Sequence, residues 1–289
     1  MREFETYDEV RASATEASVG ELRGIDFNRS RNHNLGSADS QGNFGLGESL
    51  GAIGSTKQGV GIAARKIIGR DLEVHLGARV QLAGQVDELK CYIRDTKAEL
   101  DQAYAAGRRI MLEGTQGTDL SLHHGIYPHV TSRETTASGC LADAGIAPLR
   151  VRKVVMVTRT YPIRVGSPLG GDSGDLPGEI DPKTIAERCG LREEEIKETE
   201  VGTVSGNPRR IAEFNLERVR RSAVLNGATD VALTFADYID SRNRNATDFD
   251  QLTQQTKDFI AQIETATNIP VSLISKGFKG HSLIDRRNW

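Results

Sequence analysis

The sequence predicts an α/β protein whose central sheet is mostly parallel and flanked by helices. Three observations carry this. Short continuous apolar runs at Ile110–Leu112, Val154–Thr158, Val231–Phe235 and Val271–Ile274 have the length and composition of strands buried on both faces. Segments with apolar residues at helical spacing lie between them. The two kinds of segment alternate after residue 50 with no Pro- or Ser-rich linker and no internal repeat, the pattern of a sheet covered on both faces.

Taken in order, Val86, Leu89, Ile93, Leu100 and Tyr104 predict a helix, with Gly107 as its stop. The strand at 110–112 runs into Glu113-Gly114-Thr115-Gln116-Gly117-Thr118. The strand at 154–158 leads to Arg159 and then Arg164-Val165-Gly166. A helix with Leu216, Val219, Ala223 and Val224 on one face closes at Asn226-Gly227. The strand at 231–235 leads to Asp237-Tyr238-Ile239-Asp240, and a helix carrying Leu252, Phe259, Ile263 and Ala266 follows. The last strand leads to Ser275-Lys276-Gly277-Phe278-Lys279. In open parallel sheets the loops after the strands' carboxyl ends build the site. These four offer backbone N–H groups, small residues and a few polar heads, the means of holding an anionic planar ligand such as a nucleotide.

Composition sets the outer limits. With 37 Lys plus Arg against 40 Asp plus Glu, the formal charge of the 289 residues is −3, which excludes a chain-wide basic footprint for nucleic acid. No apolar run reaches membrane-spanning length, and Met1–Glu5 is not expected to begin a signal peptide. Cys91, Cys140 and Cys189 are too few and scattered for a disulfide framework, so a cytoplasmic location is expected. Residues 1–49, rich in Ser, Asn, Gly and charge, read as a divergent loop-rich segment, and 50–289 as the folded domain.

Several local motifs admit two readings each. Gly54-Ser55-Thr56-Lys57-Gln58-Gly59-Val60-Gly61 is a structural turn or a phosphate cradle at a helix start, but its spacing is not that of a Walker A loop. The hydroxyl run Thr131–Gly139 is a helix cap or a set of phosphate donors. Gly202–Arg210 ends in paired arginines, which are a solvated charge pair or a bidentate carboxylate clamp. His123, His124 and His129 lack carboxylate or thiolate partners at ligand spacing, so packing or hydrogen bonding is expected and no metal site is assigned. A serine-hydrolase elbow and a dinucleotide fingerprint are both missing from the sequence.

The motifs together resemble one family. IGSTKQGVG at 53–61, EGTQG at 113–117, HHGIYPHVTSRETTASG at 123–139, RTYPIRVG at 159–166, GTVSGNPRR at 202–210, LTFADYID at 233–240 and ISKG at 274–277 occur in the order found in adenylosuccinate synthetases. The likeness covers roughly residues 50–287 and is greater to the short archaeal and phage branch, including phage 2-aminoadenylosuccinate synthetases, than to the long bacterial one. It implies a P-loop-NTPase-like fold with a truncated N-terminus. It also implies a ligase that joins L-aspartate to C6 of a 6-oxopurine nucleotide, IMP or (d)GMP, with hydrolysis of GTP or ATP, and with Mg2+ as the family's metal. By resemblance, Ser55, Thr56 and Thr131 bind the nucleotide's phosphate, and Gln116, the one catalytic candidate, hydrogen-bonds the purine base. Arg70 reaches the nucleotide phosphate of the other subunit of a homodimer. Thr203, Ser205, Asn207 and Arg209 form the aspartate loop, while Asp237, Ser275 and Gly277 line the pocket for the base of the triphosphate.

The sequence also departs from the family. It contains no GDEGKGK-like phosphate loop and no NAGH-like segment, where the family carries its base, general acid and magnesium ligand. Asn207 stands where an arginine is usual, and Phe235 where lysine is common. The expectation is a purine-nucleotide-binding protein that does not catalyse the ligation alone. An active enzyme completed in trans by a heteromeric partner is one alternative. A structural or interaction protein without nucleotide binding is the other.

Overall fold

The computed structural model describes residues 83–166, 173–202, 206–277 and 283–288. The segment 1–49 and the site residues Ser55, Thr56, Arg70, Thr203 and Ser205 lie outside them. The chain divides into two compact units, with the boundary between Val151 and Arg152.

The described part of the first unit is helical and looped. Helix α1 spans Asp87–Lys90 and α2 spans Thr96–Ala105. The single helix expected from Val86 to Tyr104 is therefore broken at Cys91–Asp95. Asp95 supplies the physical reason, because its carboxylate accepts the Ala98 N–H at 3.0 Å and caps α2. That bond starts a new helix in place of continuing the old one. Leu100 is buried, whereas Ile93 and Tyr104 remain exposed. Gly107 takes the left-handed conformation expected of a stop, φ 70°. Ile110–Leu112 is not a strand. The first unit has no strand among its described residues, so this apolar triplet has no ladder there to join. Helix α3, Ala137–Ala144, begins at Thr136, whose hydroxyl accepts the Gly139 N–H, and ends at left-handed Gly145.

The second unit holds the central sheet, made of β1 (Val155–Arg159), β5 (Asp230–Thr234), β6 (Val271–Ser275) and β7 (Leu283–Asp285) in the order β1-β5-β6-β7. The first three are mutually parallel, as the apolar runs predict, and β7 is antiparallel to β6. Between β1 and β5 the chain forms a small antiparallel sheet of β2 (Ile163–Arg164), β3 (Glu179–Ile180) and β4 (Arg210–Ala212), in the order β2-β4-β3. It also forms helices α4 (Pro182–Cys189) and α5 (Glu193–Thr199). Strands of two or three residues leave no periodic trace, so this second sheet was invisible in the sequence.

Helices α6 (Leu216–Asn226) and α7 (Gln254–Thr267) connect the parallel strands. Ile260 and Ile263 of α7 pack with Val231, Leu233, Val271 and Ile274 of β5 and β6 into the main core. On α6, Leu216 and Ala223 face inward but Val224 is largely exposed, because one residue along a helix turns the side chain by about 100°. A second core of Ile185, Cys189, Ile196, Ile211 and Tyr238 ties α4 and α5 to β4. No described helix is long and apolar enough to cross a membrane.

Candidate nucleotide and carboxylate sites

In the first unit the loop after 110–112 is folded back on the hydroxyl run. Gln116, held at φ 60°, donates from Nε2 to the Thr131 hydroxyl at 3.1 Å. A left-handed glutamine is uncommon and marks a backbone that its surroundings hold in place. Those surroundings are visible. The Thr131 N–H reaches the Leu120 carbonyl at 2.8 Å, and the Thr135 hydroxyl reaches the Gly117 carbonyl at 2.8 Å. Gly125 is required between them, since a Cβ there would lie 2.5 Å from the Ser121 carbonyl. Two residues expected at the purine mononucleotide, fifteen positions apart, are thus in contact.

Glu134 organises the same turn. Its carboxylate accepts from the Ser121 hydroxyl at 2.8 Å and from the Thr135 and Thr136 N–H groups at 3.0 and 3.1 Å, and it lies 3.2 Å from His123 Nδ1. Burial acts to raise its pKa, but the bonds from Ser121, Thr136 and His123 outweigh burial and hold the carboxyl at about 2. Within the hydroxyl run Thr136 caps α3, as the cap reading expects, and Thr131 meets Gln116. Among the described residues no three His, Cys, Asp or Glu side chains converge as a metal site.

In the second unit the carboxyl ends of β1, β5 and β6 open on one edge of the sheet. Asp237, just beyond β5, is almost fully buried. Its Oδ2 accepts from Arg244 Nε at 3.0 Å, and Arg244 also reaches Glu195 at 2.9 Å. Its buried Oδ1 has no hydrogen-bond partner. Burial raises the Asp237 pKa and Arg244 only partly opposes it. Gly277 covers this carboxylate, because a Cβ at that position would sit 3.1 Å from Asp237 Oδ2. The Ser275 hydroxyl turns back to the Gly277 carbonyl at 3.0 Å, tightening the turn. Asp237, Ser275 and Gly277, assigned to one pocket by resemblance, come together here. A buried acceptor with no partner is costly.

Phe235, expected as the last residue of the third strand, instead breaks it. Its φ is 62°, and it directs the chain into the turn that carries Asp237. The Arg159 guanidinium lies 4.0 Å from the centre of its ring, and the Tyr238 ring is 5.0 Å away.

The arginine loop is a closed hairpin at its base. The Gly202 N–H donates to the Asn207 carbonyl and the Arg209 N–H to the Glu200 carbonyl, at 2.8 and 2.9 Å. The paired arginines do not act as one clamp. Adjacent positions entering a strand point to opposite sides. Arg210 therefore turns to Glu179, Ser173 and Gly174, whereas Arg209 reaches Glu200 Oε2 at 3.4 Å. Glu200 itself is almost fully buried, and its Oε1 also takes Arg159 and the Tyr238 hydroxyl, the latter at 3.1 Å. The sequence reading placed Arg159 and Tyr238 in site-building loops without giving them a role, and it missed Glu200 and Arg244. Glu200 closes the acidic stretch 193–200, and only the fold shows that its last member points inward.

Comparison with known proteins follows the same lines. Residues 77–244 match the family model described as adenylosuccinate synthetase. The chain is 39% identical over 236 residues to an adenylosuccinate synthetase of Methanocaldococcus jannaschii, covering 82% of this chain and 62% of the relative. It is 39% identical over 238 residues to that of Pyrococcus horikoshii, covering 82% and 64%. The chain therefore spans less than two thirds of the length of these curated relatives. Among solved structures, the succinoaminodeoxyadenylate synthetase of cyanophage S-2L, bound to dGMP and to dATP as an energy donor, matches with TM-score 0.63 and 29% identity. That match covers 82% of this chain and 63% of the phage chain. A fully ligated adenylosuccinate synthetase of Plasmodium falciparum matches in fold, with TM-score 0.61 at 16% identity over 95% and 75% of the two chains.

Proposed function

This chain belongs to the adenylosuccinate synthetase family, and on that footing we propose that it binds purine nucleotides and L-aspartate as part of a ligase that joins aspartate to C6 of a 6-oxopurine nucleotide. Gln116 and Thr131 contact the 6-oxopurine mononucleotide, IMP or (d)GMP. Asn207 and Arg209, with Thr203 and Ser205, receive aspartate. Asp237, Ser275 and Gly277 hold the base of the triphosphate, GTP or ATP. Ser55, Thr56 and Arg70 complete the mononucleotide's phosphate site, Arg70 across a homodimer. The observation that carries the reading is Asp237 Oδ1, a buried acceptor without a partner beneath a glycine at the carboxyl edge of a parallel sheet. Both purines of the donor class present an N–H edge that such an oxygen receives.

These 289 residues do not make the succinyl product unaided, because no segment matches the family's phosphate loop or general acid. The test is calorimetry on the full chain with IMP, dGMP, GTP and ATP, beside an assay for the succinyl product. The expected result is saturable binding of one monophosphate and one triphosphate without turnover. Absence of binding at millimolar nucleotide overturns the nucleotide reading, and turnover by the chain alone overturns the second part.

A further inference from the structure

We propose that Glu200 is a positioning residue that fixes Arg159 and Arg209 as one cationic cradle for a carboxylate ligand; this rests on the reading of the arginine loop as the aspartate site. The geometry is that of a single buried anion shared by two cations and a phenol. Oε1 takes Arg159 and the Tyr238 hydroxyl, and Oε2 takes Arg209. The Glu200 main chain is bound in as well, since its carbonyl accepts the Arg209 N–H at 2.9 Å. Arg159 is held a second way, by its Nε bond to the Tyr161 carbonyl at 3.3 Å, and a third, by the Phe235 ring.

Three features separate this cluster from an ordinary buried ion pair. First, the charges do not cancel. Two guanidinium groups face one carboxylate, and Tyr238 stays neutral because burial raises its pKa. The cluster keeps one net positive charge, the complement of one carboxylate. Second, burial is graded. Glu200 is sealed, with its side chain 2% exposed, whereas Arg159 and Arg209 keep 19% and 22% of theirs open. The anion is inaccessible to a ligand and the cations are not. Third, the cluster joins two elements of the proposed site. Tyr238 follows Asp237 in the base pocket's turn, and Arg209 ends the loop that begins at Gly202. A guanidinium holding one carboxylate through part of its five donors has others left for a second.

Glu200→Gln separates positioning from charge by sign. Removing a negative charge from beside two arginines strengthens anion binding if Glu200 acts only through its field. If it positions them, its loss frees both guanidinium groups and weakens binding. The experiment titrates the full chain, preloaded with IMP or dGMP, with L-aspartate. The expected result is affinity about tenfold lower in Glu200→Gln, with monophosphate affinity unchanged and Tyr238→Phe intermediate. Unchanged or tighter L-aspartate binding by folded Glu200→Gln overturns the proposal. If the wild-type chain binds no L-aspartate, the aspartate reading of the loop fails on its own account. The inference is then decided by the side-chain Nε–H signals of Arg159 and Arg209 in NMR. Slow exchange in the wild type and fast exchange in Tyr238→Phe or Glu200→Gln upholds the cradle, and equal exchange overturns it.

Discussion

Asp237 sets two demands against each other. Its Oδ1 is buried without a partner, and burial raises its pKa despite Arg244. A carboxyl whose folded pKa is raised favours the folded state while protonated, and that contribution is lost as pH rises through the raised value. The ionised form therefore weakens the fold, and it is the stronger acceptor for a base N–H. Asp237→Asn is expected to raise Tm at pH 7, with the difference shrinking as pH falls below the carboxyl's pKa. It is also expected to weaken triphosphate binding by roughly 1.5–3 kcal/mol, the loss of a bond to a charged acceptor. Thermal melts across pH and calorimetry check the two halves separately. Asp237 was legible as a residue from its motif and its place after a strand. Its Arg244 partner and its solitary oxygen were not, because both depend on side chains seven residues apart meeting across a turn.

At the scale of elements, the stops at Gly107 and Gly227 and the cap within the hydroxyl run were readable because they are local chemistry, whereas the Asp95 cap that divides α1 from α2 was not read. Gly107, Gly145 and Gly227 all take left-handed conformations at helix ends, and Asp95 and Thr136 cap α2 and α3. The cap on α3 bears on the Gln116–Thr131 contact, since Thr136 follows Glu134 and Thr135, which bind Ser121 and Gly117. Thr136→Ala is expected to cost about 1 kcal/mol of stability, measurable in denaturant melts, and to lower protection of the α3 amides in hydrogen exchange. Strands were legible only where they were long. Val155–Arg159, Asp230–Thr234 and Val271–Ser275 announced themselves by apolar runs, whereas Ile110–Leu112 carried the same signal and formed no strand. A run of three apolar residues states a preference for burial, and only a hydrogen-bonding neighbour makes it a strand.

At the scale of the molecule, the two compact units rest on different means. The unit from Arg152 onward is centred on Val231, Leu233, Val271 and Ile274 packed beneath Ile260 and Ile263, whereas the described part of the first unit has caps, turns and few buried apolar residues. Ile263→Ala is expected to cost roughly 2–5 kcal/mol. Hydrogen exchange should show lost protection in β5, β6 and α7 with α3 unaffected, as expected of a unit that opens by itself. Equal loss in α3 would mean that the units open together.

The sequence by itself determined the three parallel strands, the helix stops at Gly107 and Gly227, and the family, because each is written in local order: apolar period, cap chemistry and motif succession. Tertiary structure alone decided which charges are shared. It turned Arg210 away to Glu179, buried the last carboxylate of an acidic stretch between Arg159 and Arg209, and left one oxygen of Asp237 without a donor. Those outcomes depend on which side of a strand or helix a side chain leaves and what comes to meet it from distant sequence, and no local pattern encodes the meeting.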